Sequence, residues 1–261
     1  MYSHSRRRLE DTSKYHFGLS EKSNMKTIIH KADSRGLTDH GWLKSYHTFS
    51  FAEYYDPNRT RFGLLRVLND DVVQPGMGFG THPHDNMEIV SIPLAGALAH
   101  KDSMGSEKVI ITGDVQIMSA GSGLQHSEYN VSKTDPVNFL QIWVFPKERN
   151  IEPRYDQKTF NAADRKNKFQ VAVSPQKDNS SLWINQDAYF SLGNIEAGKN
   201  ISYNIQHKGN GAYMFLIYGS VDAAGTKLNK RDALGIEDAE NINIKAFTDS
   251  EILVIEVPMK I

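Results

Sequence analysis

Two short segments hold the side chains best suited to chemistry. The first runs Thr81-His82-Pro83-His84-Asp85-Asn86-Met87-Glu88, and the second runs Leu124-Gln125-His126-Ser127-Glu128-Tyr129. In an extended strand, residues two apart project from the same face, so His82 and His84 can offer both imidazoles to one ion. His126 and Glu128 repeat that spacing. Two such pairs on facing strands supply three nitrogens and one carboxylate oxygen. One or two coordination positions then stay open to water or substrate, as in catalytic rather than closed structural sites. Imidazole and carboxylate suit Fe, Mn, Cu, Ni or Zn, and donor softness does not choose among them. Glu88 is a rival ligand because it shares the parity of His82 and His84. If Asp85-Asn86 breaks the strand, Glu88 instead orients a ligand imidazole through a hydrogen bond. His-Pro-His alone reads equally well as a surface turn. The glycine-spaced second segment, with Gly113 and Gly121-Ser122-Gly123 ahead of His126, tips the reading to a metal site.

Other polar residues carry less. His100 and Asp102 follow a turn at Gly96 and read as solvated strand-end groups, with a place at the mouth of a site as the alternative. His40, His47 and His207 read as structural or exposed. The aromatic string from Tyr46 to Tyr55 reads as core or interdomain packing, on which a flat aromatic ligand could also stack.

Positioning four such side chains calls for short paired strands, and the chain supplies them. Apolar and aromatic segments near 62–67, 87–93, 109–111, 115–120, 139–145, 169–173, 188–192, 201–205, 213–218 and 252–257 are punctuated by Gly, Asn or Asp. Their spacing predicts an all-β sandwich or barrel, and no stretch sustains helical periodicity beyond a turn or two. With 261 residues, 39% of them hydrophobic, two modest domains are expected. The charged, proline-containing stretch 146–160 is expected as the linker between a metal-binding domain at 25–145 and a second domain at 161–261. Residues 1–24 are polar and without pattern. They are expected to form a flexible extension, with Met25 as a candidate natural start.

Composition narrows the partners. Thirty basic residues against 31 acidic ones give a formal charge of −1, no footprint for nucleic acid or an anionic membrane surface. Cysteine is absent, so disulfides, zinc-thiolate sites and cysteine nucleophiles are excluded. No apolar run approaches the roughly 18 residues of a membrane span, and the N-terminal arginines precede no hydrophobic segment, so cytoplasmic residence is expected. A small ligand or a protein partner remains.

The halves show one internal match: Glu88 to Gly96 resembles Gly211 to Gly219 in character. In that register His84 falls opposite His207 and His82 opposite Ile205, and the stretch 241–252 has no histidine to answer His126. A duplicated fold that kept its site only in the first half is the implication, with the second domain a degenerate copy lacking a metal.

Several segments together resemble the pirin family of the cupin superfamily, most closely its bacterial quercetinase-like members. They are Gly41-Trp42-Leu43-Lys44-Ser45-Tyr46-His47-Thr48-Phe49-Ser50-Phe51, Thr81-His82-Pro83-His84 with Met87-Glu88, Asp102-Ser103-Met104-Gly105, Met118 to Gly123 leading into His126 to Asn130, and Gln141-Ile142-Trp143 followed by Glu152-Pro153-Arg154-Tyr155. Ser119 stands where the general cupin pattern often has proline, a departure that affects a turn and not a ligand. The resemblance implies a bicupin, two tandem β-sandwich barrels, with metal ligands His82, His84, His126 and Glu128 in the first and Glu88 behind them. It implies one divalent transition-metal ion, iron first, with Mn, Cu, Ni, Co or Zn as alternatives. The implied activity is cleavage of quercetin or a related flavonol by O2 with release of CO, with Glu128 as the base for the hydroxyl proton. The alternative it implies is a metal-binding regulatory protein that acts through a protein partner.

Overall fold

The computed structural model describes residues 25–260, and the expectation for residues 1–24 lies outside them. Among the described residues the regular structure is β-strand apart from two short 3-10 turns, Ala32–Ser34 and Ala162–Arg165. Among these same residues no helix is long and apolar enough to cross a membrane.

The strands form two sandwiches of one plan, as the bicupin expectation required. In the first, a seven-stranded sheet runs in the order Arg154–Thr159, Asp114–Ser119, Glu88–Ala95, Val137–Val144, Leu65–Val73, Leu43–His47, Gly36–Asp39. It faces a four-stranded sheet ordered Gly78–His84, Leu124–Asn130, Ala97–Asp102, Glu107–Ile111. The second sandwich repeats the plan. Its large sheet runs Lys26–His30, Ala233–Glu237, Asn210–Tyr218, Ser250–Pro258, Tyr189–Ile195, Phe169–Ser174, Leu182–Trp183, and its small one Asn200–Asn204, Asn241–Ala246, Ser220–Ala223, Thr226–Asn229.

Alternation along the strands decides what fills each space. In Val137–Val144, Leu140, Ile142 and Val144 point away from the first sandwich. They meet Phe190, Leu192, Tyr213, Phe215 and Ile255, so the two large sheets pack back to back through one apolar core. Phe139 points the other way and closes the bottom of the first sandwich with Leu43, Val73, Leu98, Ile110 and Val137. Gln141 and Trp143 share that inward face, higher up.

Two strands cross the expected domain limits. Lys26–His30, the first strand of the chain, pairs with Ala233–Glu237 in the second sandwich. Arg154–Thr159 lies inside the stretch expected as a linker, yet it pairs with Asp114–Ser119 and completes the first sandwich. Its charged character fits an edge strand, where one side has no neighbour and polar side chains face solvent. The second sandwich thus takes an edge strand from ahead of the first, and the first takes one from the stretch that leads into the second, which ties the halves together along the chain.

Candidate metal centre

Strand Gly78–His84 lies antiparallel to Leu124–Asn130, with His126 opposite His82 and Leu124 opposite His84. The register slips between His126 and Glu128, a bulge that re-aims the strand beside the site. At Gly78 the strands approach so closely that a Cβ would sit 2.2 Å from the Glu128 carbonyl oxygen, so only glycine is accommodated there. On Leu124–Asn130 the inward residues Leu124, His126, Glu128 and Asn130 are buried, while Gln125 and Tyr129 face out.

Three imidazoles converge. Ring centroids lie 4.8 Å apart for His82 and His84, 4.5 Å for His82 and His126, and 4.8 Å for His84 and His126. One donor atom from each falls within 4.8 Å of the others. Burial, followed by the neighbouring His82, pushes the pKa of His84 down to about 4. Burial and the flanking histidines take His126 to about 2. At neutral pH both are therefore uncharged, the form in which imidazole binds a metal. His82 Nδ1 donates to the Gly80 carbonyl at 2.8 Å, which leaves its Nε2 a bare lone pair. His126 Nε2 is buried and has no hydrogen-bond partner in the protein. A nitrogen in that position costs free energy unless something binds it, so the donor set fits a transition-metal ion.

Glu128 lies deeper. With His100 and His126 it forms a second group of donors within 4.8 Å, so His126 belongs to both groups. One carboxylate oxygen accepts from Ser91 Oγ at 3.4 Å and the other from Gln141 Nε2 at 3.1 Å. Burial, then the nearby Asp71 carboxylate, pushes Glu128 up to about 7, against the pull of those two donors. Ser91 and Gln141 belong to a row of polar residues running across six strands of the large sheet: Gln157, Gln116, Ser91, Gln141, Asn69 and His47 stand in register. This row is the polar floor beneath the imidazoles.

Above them the site opens into a cavity of about 790 Å³ lined by His82, His84, Asp85, Leu124, Gln125 and Trp143, among others, within the range of small-molecule sites. The Trp143 indole N–H is buried without a protein partner.

A family model described as Pirin matches residues 29–144, and one described as Quercetinase C-terminal cupin domain matches residues 171–257. The quercetin 2,3-dioxygenase of Escherichia coli strain K12 is 43% identical over 230 residues, spanning 88% of this chain and 98% of that protein. The chain belongs to the pirin family. A pirin-like protein of Caulobacter vibrioides is 40% identical over 225 residues, covering 86% of this chain and 96% of its own. The crystal structure of the E. coli bacterial pirin YhhW in complex with nickel(II) superposes with a TM-score of 0.85 at 41% identity, covering 89% of this pirin and 99% of that chain. Kinship at this level over nearly the whole length makes this pirin an enzyme of the dioxygenase kind.

The remaining expectations sort by position. Glu88 points out of the first sandwich, away from the imidazoles. It is buried against the second domain, where one oxygen accepts from Ser119 Oγ at 2.7 Å and from the Asn185 amide at 3.1 Å. His40 and His207 are exposed, whereas His47 is buried, its Nδ1 2.9 Å from Asn69 Oδ1 and its Nε2 3.1 Å from Thr38 Oγ1. Of the aromatic string, Phe49 joins the interdomain core and Phe51 meets Trp143. His100 and Asp102 are not solvated strand-end groups: both are buried and His100 packs against His126, ring centroids 5.2 Å apart. The signal was present, since His100 and Asp102 share the two-residue spacing of the other pairs.

In the second sandwich the internal match of 88–96 with 211–219 holds, but the correspondence ahead of it moves by two residues. The turn between Asn200–Asn204 and Asn210–Tyr218 has five residues where the first sandwich has three, 85–87. Cross-strand register then sets Tyr203 where His82 stands, Ile205 where His84 stands, and Ile242 and Ile244 in place of His126 and Glu128. Tyr203, Ile242 and Ile244 are buried in one apolar cluster, with Ile205 packed against it.

Proposed function

We propose that this pirin is a metal-dependent dioxygenase that cleaves quercetin or a related flavonol with O2 and releases CO. His82, His84, His126 and Glu128 hold one divalent transition-metal ion, iron first. The observation that carries the reading is the convergence of three imidazoles on a point where His126 Nε2 is buried and bare. Such an ion, when bound, favours the ionised forms of a flavonol hydroxyl and of Glu128 and supplies a redox-active centre for reaction with O2.

The chain's own residues account for the rest. The cavity over His82 and His84 admits a flat aromatic molecule, with Trp143 as one wall. Glu128, ionised when the ion is bound, is placed to take the hydroxyl proton and return it after ring opening. Ser91 and Gln141 hold that carboxylate in place through both protonation states. Ile89, Met118, Ala120 and Leu124 pack as a buried apolar group beside the imidazoles and keep bulk water from the reacting ring.

The test is reconstitution. Protein purified without oxygen is loaded with Fe(II), Mn(II), Cu(II), Ni(II), Co(II) or Zn(II) in turn, then mixed with quercetin and O2 while flavonol absorbance and CO are followed. Metal-dependent loss of flavonol with matching CO is expected. No loss with any ion sinks the reading.

A further inference from the structure

The candidate metal centre has a chain of groups behind it that the ligand set does not use. Asp102 is the last residue of strand Ala97–Asp102, and its Oδ1 accepts the backbone N–H groups of Met104 at 2.9 Å and Ser106 at 3.0 Å in the turn that follows. Those two bonds fix the carboxylate and aim Oδ2 at His100 Nε2, 3.1 Å away. The far side of the His100 ring then meets His126, Nδ1 to Nδ1, at 3.4 Å. Asp102, His100 and His126 all have buried side chains.

Proton counting along this chain allows one arrangement. An ionised carboxylate can only accept, so His100 carries its proton on Nε2. A neutral His100 therefore has a bare lone pair on Nδ1, and the contact with His126 is a hydrogen bond only if His126 Nδ1 donates. A neutral His126 with its proton on Nδ1 has a bare Nε2, and that atom is the buried one without a partner. Hydrogen positions follow here from the bonding pattern. The direction is set at Asp102, the only member whose role is not interchangeable.

We infer that Asp102 and His100 form a relay that locks His126 in the Nδ1–H tautomer and so keeps its Nε2 lone pair aimed at the metal position, making both of them positioning residues for the centre. The relay extends by one imidazole the arrangement in which a carboxylate orients a metal-bound histidine. It also gives a physical role to the segment Asp102-Ser103-Met104-Gly105: Gly105 takes a φ of 93° and lets the turn present two N–H groups to Asp102. The inference rests on the proposed metal reading for its purpose, but the tautomer itself is a property of the metal-free chain.

The deciding variant is Asp102→Asn. Its Oδ1 keeps both backbone N–H groups while its Nδ2 donates where Oδ2 accepted. The relay then runs backwards: His100 shifts its proton to Nδ1, and His126 places its own on Nε2, facing the metal position. Two-bond 1H–15N spectra of histidine-labelled, metal-free full-length protein read these states directly. The wild type should show His126 as Nδ1–H and His100 as Nε2–H, and Asp102→Asn should show both reversed. Zinc affinity by competition with a chelator should fall about 10- to 100-fold in Asp102→Asn. His100→Gln, whose carbonyl can still accept from His126 Nδ1, should recover most of that loss, and His100→Leu should not. An Nε2–H tautomer for His126 in the wild type overturns the inference, as does zinc binding in Asp102→Asn as tight as in the wild type. A wild type that takes up no ion removes the metal reading instead, and the tautomers still decide the relay.

Discussion

Trp143 stands edge-on to His84, with ring centroids 4.9 Å apart and planes at 88°, and Phe51 meets the same indole edge-on at 5.2 Å. The indole is thereby held between the aromatic string near the N-terminus and the imidazoles, and it forms a wall of the cavity over them. Its N–H is buried without a protein partner, and under the proposed activity it is the donor that the indole would offer to an oxygen of the flavonol.

Trp143→Phe keeps an aromatic wall against His84 and removes the N–H. One lost hydrogen bond of about 1 kcal/mol corresponds to a KM for quercetin raised on the order of 5-fold. Because the bond is made equally before and during reaction, kcat should stay near the wild-type value. Steady-state kinetics on iron-loaded protein give both constants, with metal content measured alongside. An unchanged KM removes Trp143 N–H from substrate binding.

His126 is shared by both groups of candidate donors, so His126→Ala should cost more metal than loss of either outer histidine. The expected result is no stoichiometric ion by elemental analysis and flavonol loss at the rate of the buffer control. The far-UV circular dichroism of the metal-free fold should be unchanged, since the buried apolar clusters do not depend on the imidazole. Retained metal and activity would refute the ligand assignment.

Glu88 provides a pH signature outside the metal centre. Burial, countered by Ser119 and the Asn185 amide, pushes it up to about 7 from 4.5. A carboxyl raised in the folded state contributes stability that is complete below its unfolded pKa and is lost as pH climbs through the folded one. The loss therefore falls between about pH 4.5 and about pH 7, and the shift corresponds to a few kcal/mol at most. Glu88→Gln can keep the contacts to Ser119 and Asn185 through its carbonyl while ceasing to titrate. Urea midpoints measured from about pH 5 to about pH 8 should show the variant gaining on the wild type as pH rises, then running parallel above about pH 7. A constant difference across that range contradicts the burial argument for Glu88.

What could be read from the sequence alone depended on local repetition. His82, His84, His126 and Glu128 stood out because strand alternation converts a two-residue spacing into a shared face, and the structure keeps all four on the inward side of one sheet. His100 and Asp102 follow the same rule, but their place after the Gly96 turn suggested solvent. Only the four-stranded sheet order, which sets Ala97–Asp102 beside Leu124–Asn130, brings them to His126. Arg154–Thr159 was hidden for a different reason: an edge strand with one neighbour has a polar composition that looks like a linker. The misaligned counterparts in the second sandwich came from turn length, which leaves little trace in hydrophobic pattern.

The contact between the two sandwiches has a charged centre whose removal should be costly. Asp70, buried on strand Leu65–Val73, lies 2.9 Å from Arg231 Nε in the second sandwich and 3.5 Å from Arg35 Nη1, next to the first strand. Asn138 joins them, donating to Asp70 at 2.7 Å and accepting from Arg231 at 3.0 Å. Arg35 is itself buried, its guanidinium over the rings of Tyr46 and Phe215. Asp70→Asn keeps the shape and strips the one carboxylate in salt-bridge contact with both guanidinium groups, leaving two positive charges in a poorly solvated place. Breaking a buried pair from one side costs about 3–5 kcal/mol, so a large drop in the urea midpoint is expected. The apolar core shared by the two large sheets still couples the halves, so the m-value should not change. In the double variant Asp70→Asn, Arg231→Met one of the stranded charges is gone, and the combined loss should be smaller than the sum of the single ones. Additive losses would mean that Asp70 and Arg231 do not act as a pair, and a lowered m-value would mean that the two sandwiches unfold separately.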